Sequence, residues 1–441
     1  MKSFSFVLCI FFSSLLAKET NKIPISPIND TPIWFWNTAF NLSNKGVTIW
    51  MANDPFSSKV NLNCSTTING GRHWSFAPKL CFFQHYNACI NPKIAINEQG
   101  YLLCFWHNKL DNSYNTMRST DLGITWSKPE TIILPNMLIA TENYRIAQND
   151  SSVFLAVKTY DQPDFNQIVL LRSDNFGYRW YITNLDVDVM DGFIDHFLAV
   201  DNNYHVLVLW YKENGFSYQT SNNYGKSWKD EEKIPVHSKI ITNSPQFSWN
   251  AQGHAFLAWA ESEPVAHDTM PKESLYIVSS ADFGAQWTLP KCIAQTRGTF
   301  PQVKISLNES GNALISFTEK CDVTHTLNTI YCSNTMELSH HKQINYVNPS
   351  AIHPQIYLHK DNTGYFAWEF QDYQSSGLKI CYFKDEAWTK PESFGSSHAE
   401  FLQATPKFHR DYLIPELFFI WNKNKQGTSQ LEGKSIVMPT R

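Results

Sequence analysis

One eight-residue pattern, Ser/Thr-x-Asp/Asn-x-Gly-x-x-Trp, recurs five times along the chain and constrains its fold more than any other feature. The copies run from Thr67 through Asn69 and Gly71 to Trp74, from Ser119 through Asp121 and Gly123 to Trp126, and from Ser173 through Asn175 and Gly177 to Trp180. Two more run from Ser221 through Asn223 and Gly225 to Trp228, and from Ser280 through Asp282 and Gly284 to Trp287. Their spacings are 52, 54, 48 and 59 residues. A fixed period of this length is the mark of a repeat architecture. Each position has a physical task. The Asp or Asn oxygen accepts from backbone N–H groups two residues on, in an Asx-type turn. Glycine supplies positive φ at little steric cost. Tryptophan opens the next strand and buries a large ring. The pattern is therefore expected to staple a hairpin.

A second landmark keeps the same period. Apolar stretches end at Trp50, Trp106, Val157, Trp210, Trp259, Phe317, Trp368 and Trp421, a mean step of 53 residues. Another stretch, opened by proline, precedes several of them, at Pro92, Pro245, Pro301, Pro354 and Pro406. Proline is tolerated at a strand's first residue, where no ladder bond is lost. Each unit thus reads as strands A, B, C and D, with the Asp/Gly/Trp turn between C and D. Radial repetition of four-stranded units describes an all-β propeller. Eight blades are expected, with seven as the alternative. The last unit lacks a strand D after Gln430–Val437, and Ile23-Pro-Ile-Ser-Pro-Ile28 is placed to supply it and close the ring.

Eight units of 53 residues account for positions 18–441, so one domain fills the chain behind its first 17 residues. Those 17 carry Lys2, an apolar run from Phe4 to Leu16 and Ala17. The run is too short to span a bilayer and reads as a secretory signal peptide. A secreted or periplasmic protein with no stable membrane insertion after cleavage is expected. The formal net charge of −4 lacks the basic footprint of a nucleic-acid binder. Eight cysteines follow the signal, without a CxxC pair; Cys81–Cys89 and Cys321–Cys332 are candidate disulfides, whereas Cys104 reads as a buried hydrophobe. Sequons occur at Asn29, Asn41, Asn63, Asn149 and Asn308. His340-His341 with His353 reads as surface loop rather than a metal site, and no metal or cofactor is expected.

The five turns resemble the Asp-box (BNR) repeat of the sialidase-like propeller superfamily, over nearly all of residues 18–441. Units six and seven depart from it. Ser333-Asn-Thr-Met-Glu-Leu-Ser has neither Gly nor Trp in place, and Lys384-Asp-Glu-Ala-Trp388 keeps only a shortened turn and the Trp. The resemblance implies a site built from three arginines gripping a carboxylate, a tyrosine nucleophile activated by a glutamate, and an aspartate acid/base. Guanidinium groups suit a carboxylate because they are bidentate and permanently charged. Tyr144-Arg145-Ile146-Ala147 resembles the family's Phe-Arg-Ile-Pro. Of the eight arginines after Ala17, Arg72, Arg118, Arg172 and Arg179 belong to the turns and Arg441 is terminal. Arg145, Arg297 and Arg410 remain.

If strand A lines the axis, the B–C and D–A loops share one rim, where a ligand site belongs. Candidate catalytic residues are Arg145, Arg297, Glu261, Glu319 and Tyr144; candidate ligand-binding residues are His107, Tyr211 and Glu369. Glu261, Glu319 and Glu369 read as equivalent positions of three successive units. Carboxylates flanked by aromatics suit sugar rings. The sequence reads as an exported propeller that recognises a glycan or a protein ligand on this rim without sialidase activity. An exo-sialidase-type glycoside hydrolase and a non-catalytic assembly scaffold are the alternatives.

Overall fold

The computed structural model describes residues 23–27, 31–41, 43–54, 57, 59–76, 80–134, 139–149, 152–160, 166–185, 193–201, 203–212, 215–237, 241–262, 272–321, 324–339, 342–347, 351–371, 376–394, 399–407, 416–425 and 428–437. The expected signal peptide, Asn29, His340, His341 and Arg410 lie outside them. Eight antiparallel sheets follow one another around a ring, each entered at its innermost strand. The innermost strands, A, are Ile33–Phe40, Ile90–Ile96, Ile139–Gln148, Phe193–Val200, Gln246–Trp249, Thr299–Leu307, Ala351–Leu358 and Ala399–Lys407. Their B partners are Gly46–Asn53, Leu102–Asn108, Val153–Tyr160, Val206–Lys212, Ala255–Ser262, Ala313–Cys321, Gly364–Gln371 and Glu416–Lys425. The result is an eight-bladed β-propeller, without α-helix among the described residues. No helix there is long and apolar enough to cross a membrane.

The ring closes as the sequence suggests. Ile23–Pro24 is the fourth strand of the last blade, pairing Ile23 with Gly433 and Pro24 with Glu432 beside Thr428–Val437. Leu431 N donates to Ser26 Oγ at 2.9 Å and Ser65 Oγ donates to Ile25 O at 2.6 Å, tying blade eight to blade one. Strand B does not end at the aromatic landmark. It runs on for two to four residues, which puts the landmark rings mid-strand, and Trp106, Trp210, Trp259, Trp368 and Trp421 are among the largest fully buried side chains. Each contact between neighbouring blades has its own apolar cluster, from the one shared by blades one and two around Leu62 and Trp106 to the one of blades eight and one around Phe418.

The prolines differ from expectation. Pro92, Pro301 and Pro354 stand inside strand A, within register shifts between Ile90 and Lys93, Thr299 and Gln302, and Ile352 and Gln355. A bulge leaves a residue unpaired, so the missing N–H is tolerated on this innermost edge. Pro245 directly precedes its strand, whereas Pro406 lies near the end of one, opposite Leu417.

The five stapled turns share one hydrogen-bond scheme. The first Ser or Thr hydroxyl donates to the Asp/Asn Oδ1 and accepts from the glycine N–H: Ser119 Oγ to Asp121 Oδ1 is 2.8 Å, and Gly123 N to Ser119 Oγ is 2.8 Å. The same pair of bonds holds Asn69 with Gly71, Asn175 with Gly177, Asn223 with Gly225, and Asp282 with Gly284. Oδ1 accepts from the N–H four residues on rather than two, as from Thr125 to Asp121 at 2.9 Å. Two successive left-handed residues carry the chain round, Leu122 at φ 55° and Gly123 at φ 83° in this copy. Trp74, Trp126, Trp180, Trp228 and Trp287 stand one to four residues before strand D instead of opening it. Blade six keeps part of the scheme, because Ser333 Oγ meets Thr335 Oγ1 at 2.8 Å and Glu337 N donates to Ser333 Oγ at 3.0 Å.

A further repeat sits at the A–B turns. Asn41, Asn97, Asn149, Asp201, Asn250 and Asn308 each accept, through Oδ1, the N–H that closes the hairpin. In several blades the amide also donates to the next one: Asn41 to Asn97 O at 2.8 Å, Asn149 to Asp201 O at 3.2 Å, Asn250 to Asn308 O at 2.7 Å and Asn308 to His359 O at 3.1 Å. Three of the five sequons, at Asn41, Asn149 and Asn308, are thus buried members of an inter-blade belt. The eight cysteines from Cys64 to Cys381 are free thiols. Cys332 pairs with Ala313 and Cys321 with Thr324, at opposite ends of one hairpin. Eight residues of strand separate them by roughly 26 Å, beyond disulfide reach.

Candidate functional site

Register locates the side chains near the axis. In every blade one residue of strand A faces the residue just before the landmark: Asn37, Lys93, Arg145, Phe197, Gln246, Lys304, Gln355 and Gln403. All but Phe197 are polar. Seven of the eight blades thus keep a polar residue at this register position. Neighbours link across blades here, with Ile94 N donating to Asn37 Oδ1 at 3.0 Å and Lys304 Nζ to Gln246 Oε1 at 3.4 Å.

Charge concentrates on blades two to four. Arg145 forms an ion pair with Asp195 of the next blade, and their side chains are 36% and 21% exposed, so both remain open to a ligand. Asp195 Oδ1 also accepts from His196 N at 2.8 Å. Tyr211 lies opposite Asp195 in the register, and Lys158 directly follows the landmark Val157. Burial, then the Arg145 charge, lowers the Lys93 pKa. Burial lowers that of Lys158 too, opposed by Asp195. Burial and Asp195 raise that of Tyr211. Among the described residues, Arg145 and Lys158 therefore act on Asp195, with Lys93 near Arg145. Beneath them His196 is fully buried, its Nε2 2.9 Å from Ala156 O, and burial lowers its pKa to about 4.

The other sequence candidates fall in several places. Tyr144 is fully buried, its hydroxyl donating to Asn91 O and its ring edge-on to Phe105 at 4.8 Å. Burial holds its phenol proton well above the usual range. His107 is buried, 5.7 Å from Tyr114 between ring centres. Glu261 is buried too; its Oε1 accepts from Trp259 Nε1 at 2.6 Å and His237 N at 3.2 Å, capping the landmark indole. Glu319 is half-buried, with Cys321 Sγ 3.6 Å from its carboxylate. Arg297 is exposed between blades five and six, on another arc of the ring from Arg145.

Glu261 and Glu319 stand two residues beyond their landmarks, but Glu369 stands one beyond Trp368. Successive strand residues face opposite ways. Glu369 therefore shares its face with His107, Lys158 and Tyr211 and is not the third member of the Glu261 set. Lys93 and His196 are the residues of this cluster that the sequence reading passed over. Lys93 had a signal, a lysine inside Pro92-Lys-Ile-Ala-Ile96 at the position where other units carry Gln or Arg. His196 had none. No group of three or more His, Cys, Asp or Glu among the described residues is arranged to hold a metal ion.

No family model matches the chain, and no curated protein does. Among solved structures it is similar to an ulvan lyase, a polysaccharide lyase, with 9% identity over 93% of this chain and 95% of the other at a TM-score of 0.49. It is similar to an α-L-arabinanase of Penicillium chrysogenum, with 11% identity over 68% and 93% of the two chains and a TM-score of 0.41. The NanB sialidase of Streptococcus pneumoniae shows 10% identity over 70% of this chain and 67% of its own, with a TM-score of 0.39. At these values the likeness assigns no activity.

Proposed function

We propose that this chain is an exported propeller that binds an acidic carbohydrate at the axial end of its B–C/D–A rim, over blades two to four, without hydrolysing it. The observation that carries this reading is the grouping, among the described residues, of Arg145 and Lys158 on Asp195, with Lys93 near Arg145 and Tyr211 behind them. A carboxylate ligand gains charge-assisted hydrogen bonds from guanidinium and ammonium donors. Partial burial strengthens them by lowering the local dielectric. Tyr211, 3% exposed and packed on Phe197 and Phe216, backs the cluster from the core. Export rests on the apolar N-terminal run. Absence of hydrolysis is supported by a candidate nucleophile, Tyr144, enclosed in the core, and a candidate carboxylate, Glu261, already occupied by an indole and a backbone N–H.

Calorimetric titration with N-acetylneuraminic acid and with a D-glucuronic acid oligomer tests the reading. Arg145→Gln should weaken binding of the acidic sugar at least tenfold. Asp195→Asn should strengthen it, because a competing carboxylate disappears. Equal affinity of wild type and both variants would refute the rim site. Release of 4-methylumbelliferone from a sialoside, abolished in Arg145→Gln, would refute the non-catalytic assignment.

A further inference from the structure

A second recess lies far from the axial cluster, between blades six and seven on the face of the C–D turns. The repeat explains why it opens there. On strand C of blades two and three, the residue facing the position three before the landmark is an arginine that bonds to the next blade's stapled turn. Arg118 Nη1 donates to Gly177 O at 2.7 Å with its guanidinium 4.3 Å from the Tyr178 ring centre, and Arg172 Nη1 donates to Tyr224 O at 2.9 Å. In blade six the equivalent residue is Tyr331, paired with Leu314. The facing turn of blade seven is cut to Asp385-Glu386, two left-handed residues at φ 49° and 58° between the paired Lys384 and Ala387. With no long turn to cover it, a cavity of about 360 Å3 is left, walled by Tyr331, Phe383 and Trp388 and bordered by Ser339, Lys342 and Glu386.

Its walls are held in place. Trp388 Nε1 donates to Thr329 Oγ1 at 2.9 Å, Phe383 lies 5.1 Å from Trp388 and 5.8 Å from Tyr331 between ring centres, and Tyr331 N donates to Ser339 Oγ at 3.0 Å. At the mouth Lys342 and Glu386 are exposed and form no ion pair with each other.

We propose that this recess is a second binding site, for a neutral hexopyranose. Three aromatic side chains supply apolar surface for the C–H faces of a sugar ring. A hydroxyl both donates and accepts. One ammonium and one carboxylate at the mouth therefore satisfy a row of hydroxyls with no net charge on the ligand. The cavity, about 360 Å3, has room for a hexose ring. It also lies within the usual range for small-ligand pockets. The inference is independent of the acidic-sugar reading, since the two sites share no residue.

Saturation-transfer NMR with methyl β-D-galactopyranoside, methyl β-D-glucopyranoside and methyl α-D-mannopyranoside tests it on the whole chain. At least one glycoside should show transfer to its ring protons. Glu386→Gln and Lys342→Met, both at exposed side chains and expected to leave the thermal midpoint unchanged, should each weaken its binding roughly tenfold. Arg145→Gln should leave it unaltered. No transfer from any of the three glycosides, or binding indifferent to both mouth variants, would overturn the proposal. So would tighter binding of methyl β-D-glucuronide than of its neutral parent, because the site is argued to select an uncharged ring.

Discussion

Replacing Asn308 by aspartate keeps the acceptor that shapes an A–B turn and removes the donor that joins two blades. Asn308 is 3% exposed. Its Oδ1 accepts from Asn312 N at 2.9 Å inside its own blade, while its Nδ2 donates to His359 O at 3.1 Å and to Asn362 Oδ1 at 2.9 Å in the next. Two hydrogen bonds at about 1 kcal/mol each are lost, and a carboxylate is turned toward two acceptor oxygens left without this donor. Both oxygens keep another donor, Asn362 N on His359 O and Asn312 Nδ2 on Asn362 Oδ1. The cost is therefore the two lost bonds plus the repulsion of the new carboxylate, and Asn308→Asp should destabilise the chain by about 2–4 kcal/mol at pH 7. Equilibrium unfolding in urea, followed by tryptophan fluorescence, measures the change. The penalty should shrink below pH 5, where a protonated carboxyl regains one donor. The ring already holds the natural counterpart: Asp201 occupies the same turn position and sends Oδ2 to His205 Nδ1 at 2.8 Å rather than to blade five. A loss below 0.5 kcal/mol, or one that does not change with pH, would refute the inter-blade role of the belt.

Two further outcomes follow from local geometry. Gly71 has φ +80°, and a Cβ there would stand 2.7 Å from the buried Phe418 ring at the closing contact of blades eight and one. Gly71→Ala should therefore cost about 2–5 kcal/mol in urea unfolding, ~1–2 from left-handed backbone and ~1–3 from overpacking. His196 has a folded pKa of about 4 against an ordinary 6.5, so the folded state binds fewer protons between those values. Its contribution is complete above pH 6.5 and is lost as pH falls toward 4, about 3 kcal/mol at ~1.4 kcal/mol per unit. Wild type should lose that much more stability than His196→Gln between pH 7.5 and 4 in parallel urea titrations.

The turns at Asn69, Asp121, Asn175, Asn223 and Asp282 were legible because a left-handed bend with a hydroxyl cap requires particular residue types at fixed spacing. The same local chemistry announced the period, the blade count and the closing strand at Ile23–Pro24. Strand edges were less legible: a bulge frees a proline from the first position, as Pro92 and Pro301 show, and composition does not mark where a ladder slips. The Asn41–Asn308 belt went unread because asparagine in a turn is common, and its second bond reaches a residue about 50 positions away.

The candidate site divides along the same line. Arg145 and Tyr211 were placed on the rim by the order of strands and loops in their units, and the ring brings them together beside Asp195. Lys93, from another blade, and the buried His196 join them only once neighbouring sheets are packed. Tyr144 and Glu261 shared the residue types of a catalytic pair, yet one lies in an aromatic cluster and the other caps an indole. Local sequence determined each bend and the number of blades, since both depend on contacts a few residues apart. Which side chains meet, and which remain open to a ligand, was decided by the stacking of blades around an axis, where residues some 50 positions apart become neighbours.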